Sequence, residues 1–246
     1  EQLFMLLNMG STEAQEAETA AIDDRTTRAK IRDAAIVCFA ENGLTGTTAR
    51  KVATAAGVSP GLVIHHFGTM DGLRAECDEH VALTIRNFKY EAIDEGPNLD
   101  VLAALRGATK APLMGYLAAV LGDDSPIVNR LVDDLVADAE GYIEHGVDTG
   151  MVRPSPNPGG RAAVLTLWSL GAVVMHRHLK RILGVDLTDP DIGADSAMAS
   201  YAIPVYEILG QGVLTEAIAD HLQSAFTDAS AHVPSSPSES TSKEDL

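Results

Sequence analysis

Apolar residues recur at helical spacing along most of the chain, and almost nowhere in the strict alternation typical of a strand. The clearest early stripe occupies positions i, i+3, i+4, i+7 and i+8 and consists of Ile31, Ala34, Ala35, Cys38 and Phe39. Such a set lies on one face of a helix and predicts burial of that face. Gly43 follows the stripe and is placed to end the helix, because a glycine commonly stands after the last turn.

Two shorter helices are predicted next. Thr47 or Thr48 can cap a second helix, whose stripe of small apolar residues stops before Gly57. Ser59 then caps a third helix with Pro60 at its first position, where the missing N–H costs nothing. This third helix spans only about two turns and is marginal alone, so it must lean on its neighbours.

A long fourth helix, capped by Thr69, precedes a larger helical body. Further helices are expected over residues 99–121, 125–148, 159–184, 191–210 and 212–226. Pro112 should kink or split the first of them. The expected fold is therefore all-α, with a three-helix helix-turn-helix domain over 25–70 and a helical body over 71–228. The ends, residues 1–24 and 229–246, have compositions typical of disorder.

Charge changes this picture locally rather than globally. The chain of 246 residues is 46% apolar, only 4% aromatic and carries a formal net charge of −17. That total argues against nucleic acid, yet residues 23–70 hold six basic and four acidic residues and are therefore +2. Exposed charges are screened beyond about 10 Å, so the local sign decides whether this segment can approach phosphates.

Little in the sequence points to chemistry. Cys38 and Cys77 fall on apolar faces and are most simply core residues, with no disulfide framework or zinc spacing. No nucleophile–base pair, phosphate loop or metal-ligand spacing is evident, so we expect no catalytic residue, no metal, no cofactor and no enzymatic activity. The apolar run 162–175 is too short to span a bilayer, and no secretory signal is convincing, so a cytoplasmic protein without membrane association is expected.

The segment 47–67, TTARKVATAAGVSPGLVIHHF, carries the candidate DNA contacts. Two short helices flank a Gly-Val-Ser turn, which predicts a helix-turn-helix whose second helix enters a major groove. Cations, hydroxyls and helix-end N–H groups suit phosphates, histidines suit phosphates or base edges, and Leu62 or Val63 suits a thymine methyl. The candidate contacts are Arg25, Arg28, Thr47, Thr48, Arg50, Ser59, Pro60, Gly61, Leu62, His65 and His66. For the arginines a solvated surface role, and for the histidines a solvent-facing or packing role, remain as alternatives.

Residues 56–67, AGVSPGLVIHHF, resemble the N-terminal domain of the tetracycline-repressor (TetR) family of regulators. That family shows an Ala-Gly-Val-Ser-x-Gly-x-Leu-Tyr-x-His-Phe-like run followed by Ser-Lys-Glu-x-Leu, and this chain continues with TMDGL over 69–73. Ile64 stands where the family commonly has tyrosine, and Met70 where it commonly has lysine, so two phosphate contacts are lost. The specific resemblance covers about residues 25–77.

The resemblance implies a homodimer that binds a pseudo-palindromic operator in double-stranded DNA. A small apolar or aromatic effector would bind in the body and release the repressor. Candidate lining residues are Met114, Leu117, Tyr142, Trp168 and Met175. The run 162–175 is apolar nearly all round and would pack against the second subunit, together with residues near 191–210. Two alternatives remain, a DNA-binding dimer without an effector and a helical small-molecule carrier or enzyme.

Overall fold

The structure is helical, as expected, and no strand occurs in the parts of the chain that it describes. The computed structural model describes residues 25–99, 112–123, 125–189 and 196–231. Its helices are α1 (25–46), α2 (Ala49–Ala56), α3 (Pro60–Phe67), α4 (Met70–Glu95), α5 (Leu113–Val120), α6 (Pro126–Asp148), α7 (Pro158–Val174), α8 (His176–Leu183), α9 (Ser196–Gln211) and α10 (Glu216–Ala231). A short 3-10 turn, Gly96–Asn98, follows α4. The expected disorder of residues 1–24, most of the predicted tail over 229–246, and residues 100–111 of the predicted fifth helix lie outside this description.

The N-terminal helices close around the stripes that the sequence predicts. Ile31, Ala35, Cys38 and Phe39 of α1 are buried, and Ala34 packs against them at the edge. The buried partners from the next three helices are Val52, Ala53, Ala56, Val63, Leu73, Cys77 and Val81. Full burial of a large aliphatic or aromatic side chain contributes roughly 1.5–3 kcal/mol, so this cluster supplies most of the domain's cohesion.

Capping residues start the helices as predicted. Thr48, Ser59 and Thr69 each accept a hydrogen bond from the backbone N–H three residues later, at 3.3, 3.2 and 3.0 Å. Each bond satisfies one donor that the first helical turn leaves without a partner. Gly43 has a left-handed φ of 69°, although helical turns continue to residue 46. The predicted stop at Gly43 therefore marks a change in the backbone rather than the end of α1.

The body rests on α5, which packs beside α7 and joins the same core as the N-terminal helices. Leu113, Tyr116, Leu117 and Val120 of α5 are all buried. Helix α6 packs against both α4 and α7. Pro112 stands directly before α5, where the sequence predicted a kink or split. The N-terminal domain and the body thus share one continuous hydrophobic cluster.

One predicted helix is wrong in its extent. The single helix expected over 159–184 consists of α7 and α8, whose axes differ by 74°. Met175 stands between them with φ −88° and ψ 16°, outside regular helical geometry. Asp186 holds the turned segment, because its carboxylate accepts hydrogen bonds from His176 and Lys180 at 3.2 Å each. Hydrogen bonds across ten residues of sequence are not visible in local periodicity.

The chain divides into two compact units at Ser200 and Tyr201. The second unit contains the end of α9 and all of α10, and several of its apolar side chains are exposed, including Ile203, Tyr206 and Leu209. In the described ranges no single helix is long and apolar enough to span a membrane, whereas α7 and α8 meet that test only when taken together as a bent pair.

Candidate nucleic-acid interface

Helices α2 and α3 are joined by a turn whose geometry is set by Gly57. Gly57 has φ 67° and ψ 36°, a left-handed conformation that favours glycine. Its N–H donates to the carbonyl of Thr54, and the N–H of Val58 donates to the carbonyl of Ala53 at 2.9 Å. These bonds satisfy carbonyls at the end of α2. The chain therefore turns within three residues, which is the geometry of a helix-turn-helix.

Helix α3 presents most of its surface outward. Val63 is its only fully buried residue, while the leading end at Ser59, Pro60 and Gly61 is exposed. A Cβ added to Gly61 would meet only Ser59 Oγ, at 3.9 Å. The fold itself therefore has no need of glycine at this position. An absent side chain at an exposed leading end leaves room for another backbone to come close.

A second glycine next to this helix behaves in the opposite way. A Cβ added to Gly72, in the first turn of α4, would lie 2.2 Å from the carbonyl oxygen of Phe67. That separation is far below van der Waals contact, so Gly72 is required for α4 to start against the end of α3. Gly72 is thus required by the packing of α4 against α3, whereas Gly61 lies at an exposed surface where the fold would accept a side chain.

Helix α2 contributes exposed polar groups next to this turn. Thr48 and Arg50 are exposed, and the Arg50 side chain makes no ion pair with any residue in the described ranges. Lys51 donates to the Asn42 side chain at 3.0 Å and to the Gly46 carbonyl at 2.8 Å. Arg50 is therefore the cation of α2 whose donors are available to a phosphate.

Two residues predicted to contact DNA are engaged inside the protein. The Arg28 guanidinium donates to the His66 carbonyl at 2.7 Å, pairs with the Glu76 carboxylate and lies 4.6 Å over the Phe67 ring. It therefore ties α1 to α3 and α4. Thr47 is buried, and its hydroxyl reaches the carbonyls of Cys38 and Gly43 at 2.9 and 2.8 Å. Arg28 thus holds α3 in place, whereas Thr47 fixes the start of α2 against the end of α1.

The apolar contact predicted from Leu62 or Val63 has a better candidate. Val63 is buried and Leu62 packs against the core, whereas Ile64 is 43% exposed. Sequence reasoning treated Ile64 only as a missing tyrosine. The signal was present, because a residue next to a buried helical position points about 100° away from it. His65 is exposed, His66 is half-buried, and their rings meet edge-on at 5.5 Å. Arg25 is exposed at the start of the described part of α1.

The five residues predicted to line an effector pocket lie in different surroundings. Leu117 is buried and Met114 packs at the edge of the core. Tyr142 is half-buried and faces the ring of Tyr90 edge-on at 6.3 Å. Trp168 and Met175 are exposed. None of the five lines the cavity of about 470 Å³ that opens between α4 and α6. A shared pocket for this set stays a prediction.

Both cysteines are core residues. Cys38 and Cys77 are unpaired and buried. Burial raises the pKa of each thiol, and nearby carboxylates add to the effect, Glu41 at Cys38 and chiefly Asp78 at Cys77. A thiol in such surroundings is protonated at neutral pH and therefore a weak nucleophile.

Known proteins share both halves of this arrangement, a helix-turn-helix on a helical body. Residues 31–77 match the model of the bacterial regulatory proteins of the TetR family, and residues 109–215 match a tetracyclin repressor-like C-terminal domain. The chain is 34% identical over 198 residues to the HTH-type transcriptional regulatory protein RaaS of Mycobacterium tuberculosis, covering 78% of this chain and 89% of that protein. The chain belongs to the TetR family and is a DNA-binding transcriptional regulator.

Other relatives agree over shorter stretches or in fold alone. The regulator BetI of Burkholderia thailandensis is 44% identical over 54 residues, which is 22% of this chain and 28% of that protein. A Rhodococcus structure described as a TetR-family transcriptional regulator aligns with a TM-score of 0.52 at 20% identity, covering 73% of this chain and 97% of that one. SmeT, the repressor of a Stenotrophomonas maltophilia multidrug efflux pump, aligns with a TM-score of 0.50 at 21% identity, covering 78% and 95%. These structures support the all-helical fold.

Proposed function

We propose that this regulator is a homodimeric repressor that leaves its operator when a small lipophilic effector binds the body. The observation that carries the DNA-binding half is the outward leading end of α3, where Gly61 is not needed for packing. SmeT, to which this chain is similar in fold, is a repressor, and this supports the proposed direction of regulation. A regulator of chromosomal genes acts where the DNA is, so a cytoplasmic location is part of the proposal.

The proposed interface has a groove-facing part and a phosphate-facing part. Ser59, Pro60, Gly61, Ile64 and His65 face the groove, and Leu62 and His66 border it. Arg25, Thr48 and Arg50 face phosphates, to which charge-assisted hydrogen bonds are strong. Arg28 and Thr47 contribute by positioning, Arg28 through the contacts that hold α3 on α1 and α4, and Thr47 through the contacts that hold the start of α2 on α1. Every predicted DNA-contacting residue therefore has one of three testable roles: groove contact, phosphate contact or positioning.

The proposed dimer uses the apolar surface of α7. Val164 and Leu167 are 66% and 55% exposed, and Trp168, Val174 and Met175 continue the same helical stripe. A contiguous exposed patch of this kind is typical of an interface with another protein. A second subunit also meets a functional need, because one recognition helix reads few bases and paired half-sites supply the remaining selectivity.

Operator binding tests the proposal directly. The full chain is used to select a duplex from a random library, and fluorescence anisotropy then gives its affinity and salt dependence. We expect specific binding at least about 10³-fold tighter than binding to unrelated DNA. Changing both His65 and His66 to Ala should weaken specific binding by about 30-fold, since each lost base or phosphate contact costs on the order of 1 kcal/mol.

Two results would contradict the proposal. One is binding that shows no preference for any duplex, which would remove the sequence-specific function. The other is unaltered affinity in the double histidine variant together with unaltered affinity after Arg50→Gln, which would remove the assigned interface. The matched control is Lys30→Gln on α1, since Lys30 is an exposed cation outside the helix-turn-helix pair.

A further inference from the structure

A charged cleft opens between α4 and α6, and none of its lining residues belongs to α1, α2 or α3. Its volume is about 470 Å³, within the range of small-molecule sites. Its ionisable lining consists of Asp78, Glu79, Arg86, Arg130, Asp134 and Asp138. Arg86 and Asp138 pair across the cleft at 3.4 Å and offset each other. Asp78 also forms an ion pair with Arg74 at 3.9 Å, which leaves Glu79 and Asp134 against Arg130, so the cleft keeps a small excess of negative charge.

Asp78 differs from the other carboxylates because it is buried. The residue is 7% exposed, and its Oδ1 accepts a hydrogen bond of 2.6 Å from the hydroxyl of Tyr116. The second oxygen, Oδ2, is buried without a hydrogen bond, and the nearest cation atom is Arg74 Nε at 3.9 Å. Oδ2 therefore has a long ion pair but no hydrogen bond, and a closer donor or cation would satisfy this acceptor better than Arg74 does.

Apolar side chains complete the cleft. Leu83 of α4 and Ile127 and Leu131 of α6 lie on its walls, between the charged positions. A ligand that fits must therefore combine an apolar body with a group that is attracted to carboxylates. An anion would be placed beside Asp78 in surroundings of low dielectric, where like charges repel strongly.

We propose that this cleft binds an organic cation whose positive group faces Asp78 and whose apolar body lies along Leu83, Ile127 and Leu131. The inference rests on the proposed function, in which a small lipophilic effector releases the repressor. It adds the charge of that effector and the place where it binds.

A chain of side-chain contacts connects the cleft to the N-terminal helices. Tyr116, which donates to Asp78, is fully buried on α5 and meets the ring of Phe39 on α1 edge-on at 5.8 Å. A cation at Asp78 Oδ2 polarises the carboxylate whose Oδ1 accepts from Tyr116, so the two contacts are coupled. A ligand shifts a conformational equilibrium only by its difference in affinity between the two arrangements, and the shared carboxylate supplies that difference.

Two probe ions of the same shape and opposite charge test the cleft. Binding of tetraphenylphosphonium and of tetraphenylborate to the full-length wild type is measured by titration calorimetry at fixed salt. We expect one phosphonium per chain and binding of the borate at least tenfold weaker. Because the whole chain is acidic, this preference alone is insufficient, and variants must locate the site.

The variants are Asp78→Asn, Asp134→Asn and Asp133→Asn. Asp78→Asn should weaken phosphonium binding at least tenfold, while the amide oxygen can still accept from Tyr116. Asp134 is exposed, so Asp134→Asn should fold normally and weaken binding about threefold. Asp133 is adjacent and exposed but does not line the cleft. Asp133→Asn therefore makes the same charge change and should leave the affinity within a factor of about 1.5, the scale of effects between exposed charges.

The outcomes separate this inference from the proposed function. No phosphonium binding, equal binding of the two ions, or equal effects of Asp133→Asn and Asp134→Asn would overturn the cation site. Selective operator binding that phosphonium does not weaken would overturn its role as the effector site and leave the repressor intact. Phosphonium binding that depends on Asp134, in a chain without selective DNA binding, would support the cleft and overturn the repressor.

Discussion

The N-terminal helices and α7 carry equally clear apolar patterns but use them differently. The stripe of α1 is closed off within the chain, with Ile31 and Phe39 at 0% and 3% exposure. The stripe of α7 leaves Val164 and Leu167 open. A hydrophobic pattern therefore predicts that a helix face will be buried, but it does not identify the part of the protein or the partner that buries it. In one region the cover is the same chain, and in the other we propose a second copy.

Truncating one side chain in each region tests whether its apolar stripe is buried within the chain. Phe39→Ala should lower the free energy of unfolding by about 3–5 kcal/mol, because it leaves a cavity in a closed core. Leu167→Ala should change the unfolding free energy of the isolated chain by less than about 0.5 kcal/mol, as for other exposed positions. Chemical denaturation at a protein concentration low enough to keep the chain monomeric measures both. Equal losses would mean that α7 is covered within the chain.

Charge placed on α7 should break the dimer. Val164→Glu combined with Leu167→Glu introduces unpaired charges into the proposed interface and should weaken self-association at least 100-fold, about 2.7 kcal/mol. Sedimentation at several concentrations measures the association, and operator affinity should fall with it. Met151→Glu is the control, since Met151 is an exposed apolar residue in the loop before α7. An intact dimer in the double variant would place the interface elsewhere.

The two glycines beside α3 separate binding from packing. Gly61→Ala should preserve or slightly raise thermal stability, since alanine favours helices, and should weaken operator binding about tenfold, about 1.4 kcal/mol. Gly72→Ala should instead destabilise the fold by about 1–3 kcal/mol, because its methyl group would clash with a backbone carbonyl. Thermal unfolding and anisotropy are measured on both variants. Full DNA affinity in Gly61→Ala would mean that DNA does not approach that end of α3 closely.

The smallest expected effects are those of replacing Arg50 and Arg28, which should differ in kind. Arg50→Gln should reduce the slope of log affinity against log salt by about one and leave stability unchanged, as for the loss of one phosphate contact. Arg28→Gln should lower stability by about 1 kcal/mol through loss of a partly exposed ion pair and the contact with Phe67. Its salt slope should stay the same. If the slopes changed in the reverse order, the roles assigned to the two residues would have to be exchanged.

Much of the fold and part of the site could be predicted from local pattern. Caps at Thr48, Ser59 and Thr69 were predictable because each acts within three residues of itself. The roles of Arg28 and Thr47 could not be predicted in this way, because their hydrogen-bond partners lie on other helices or across a turn. The break at Met175 also depends on Asp186, ten residues beyond the start of α8. The cleft between α4 and α6 could not be predicted either, because its two faces belong to helices that are distant in sequence.

The amino-acid order by itself determined the helical class, the position of the helix-turn-helix and the family, because helical period, caps and turn glycines act over a few neighbouring residues. Tertiary structure alone decided which arginine is available to a phosphate, which glycine is left open and where carboxylates gather into a cleft. These properties depend on side chains that meet across helices, and distances between helices are set by the packing of the whole core.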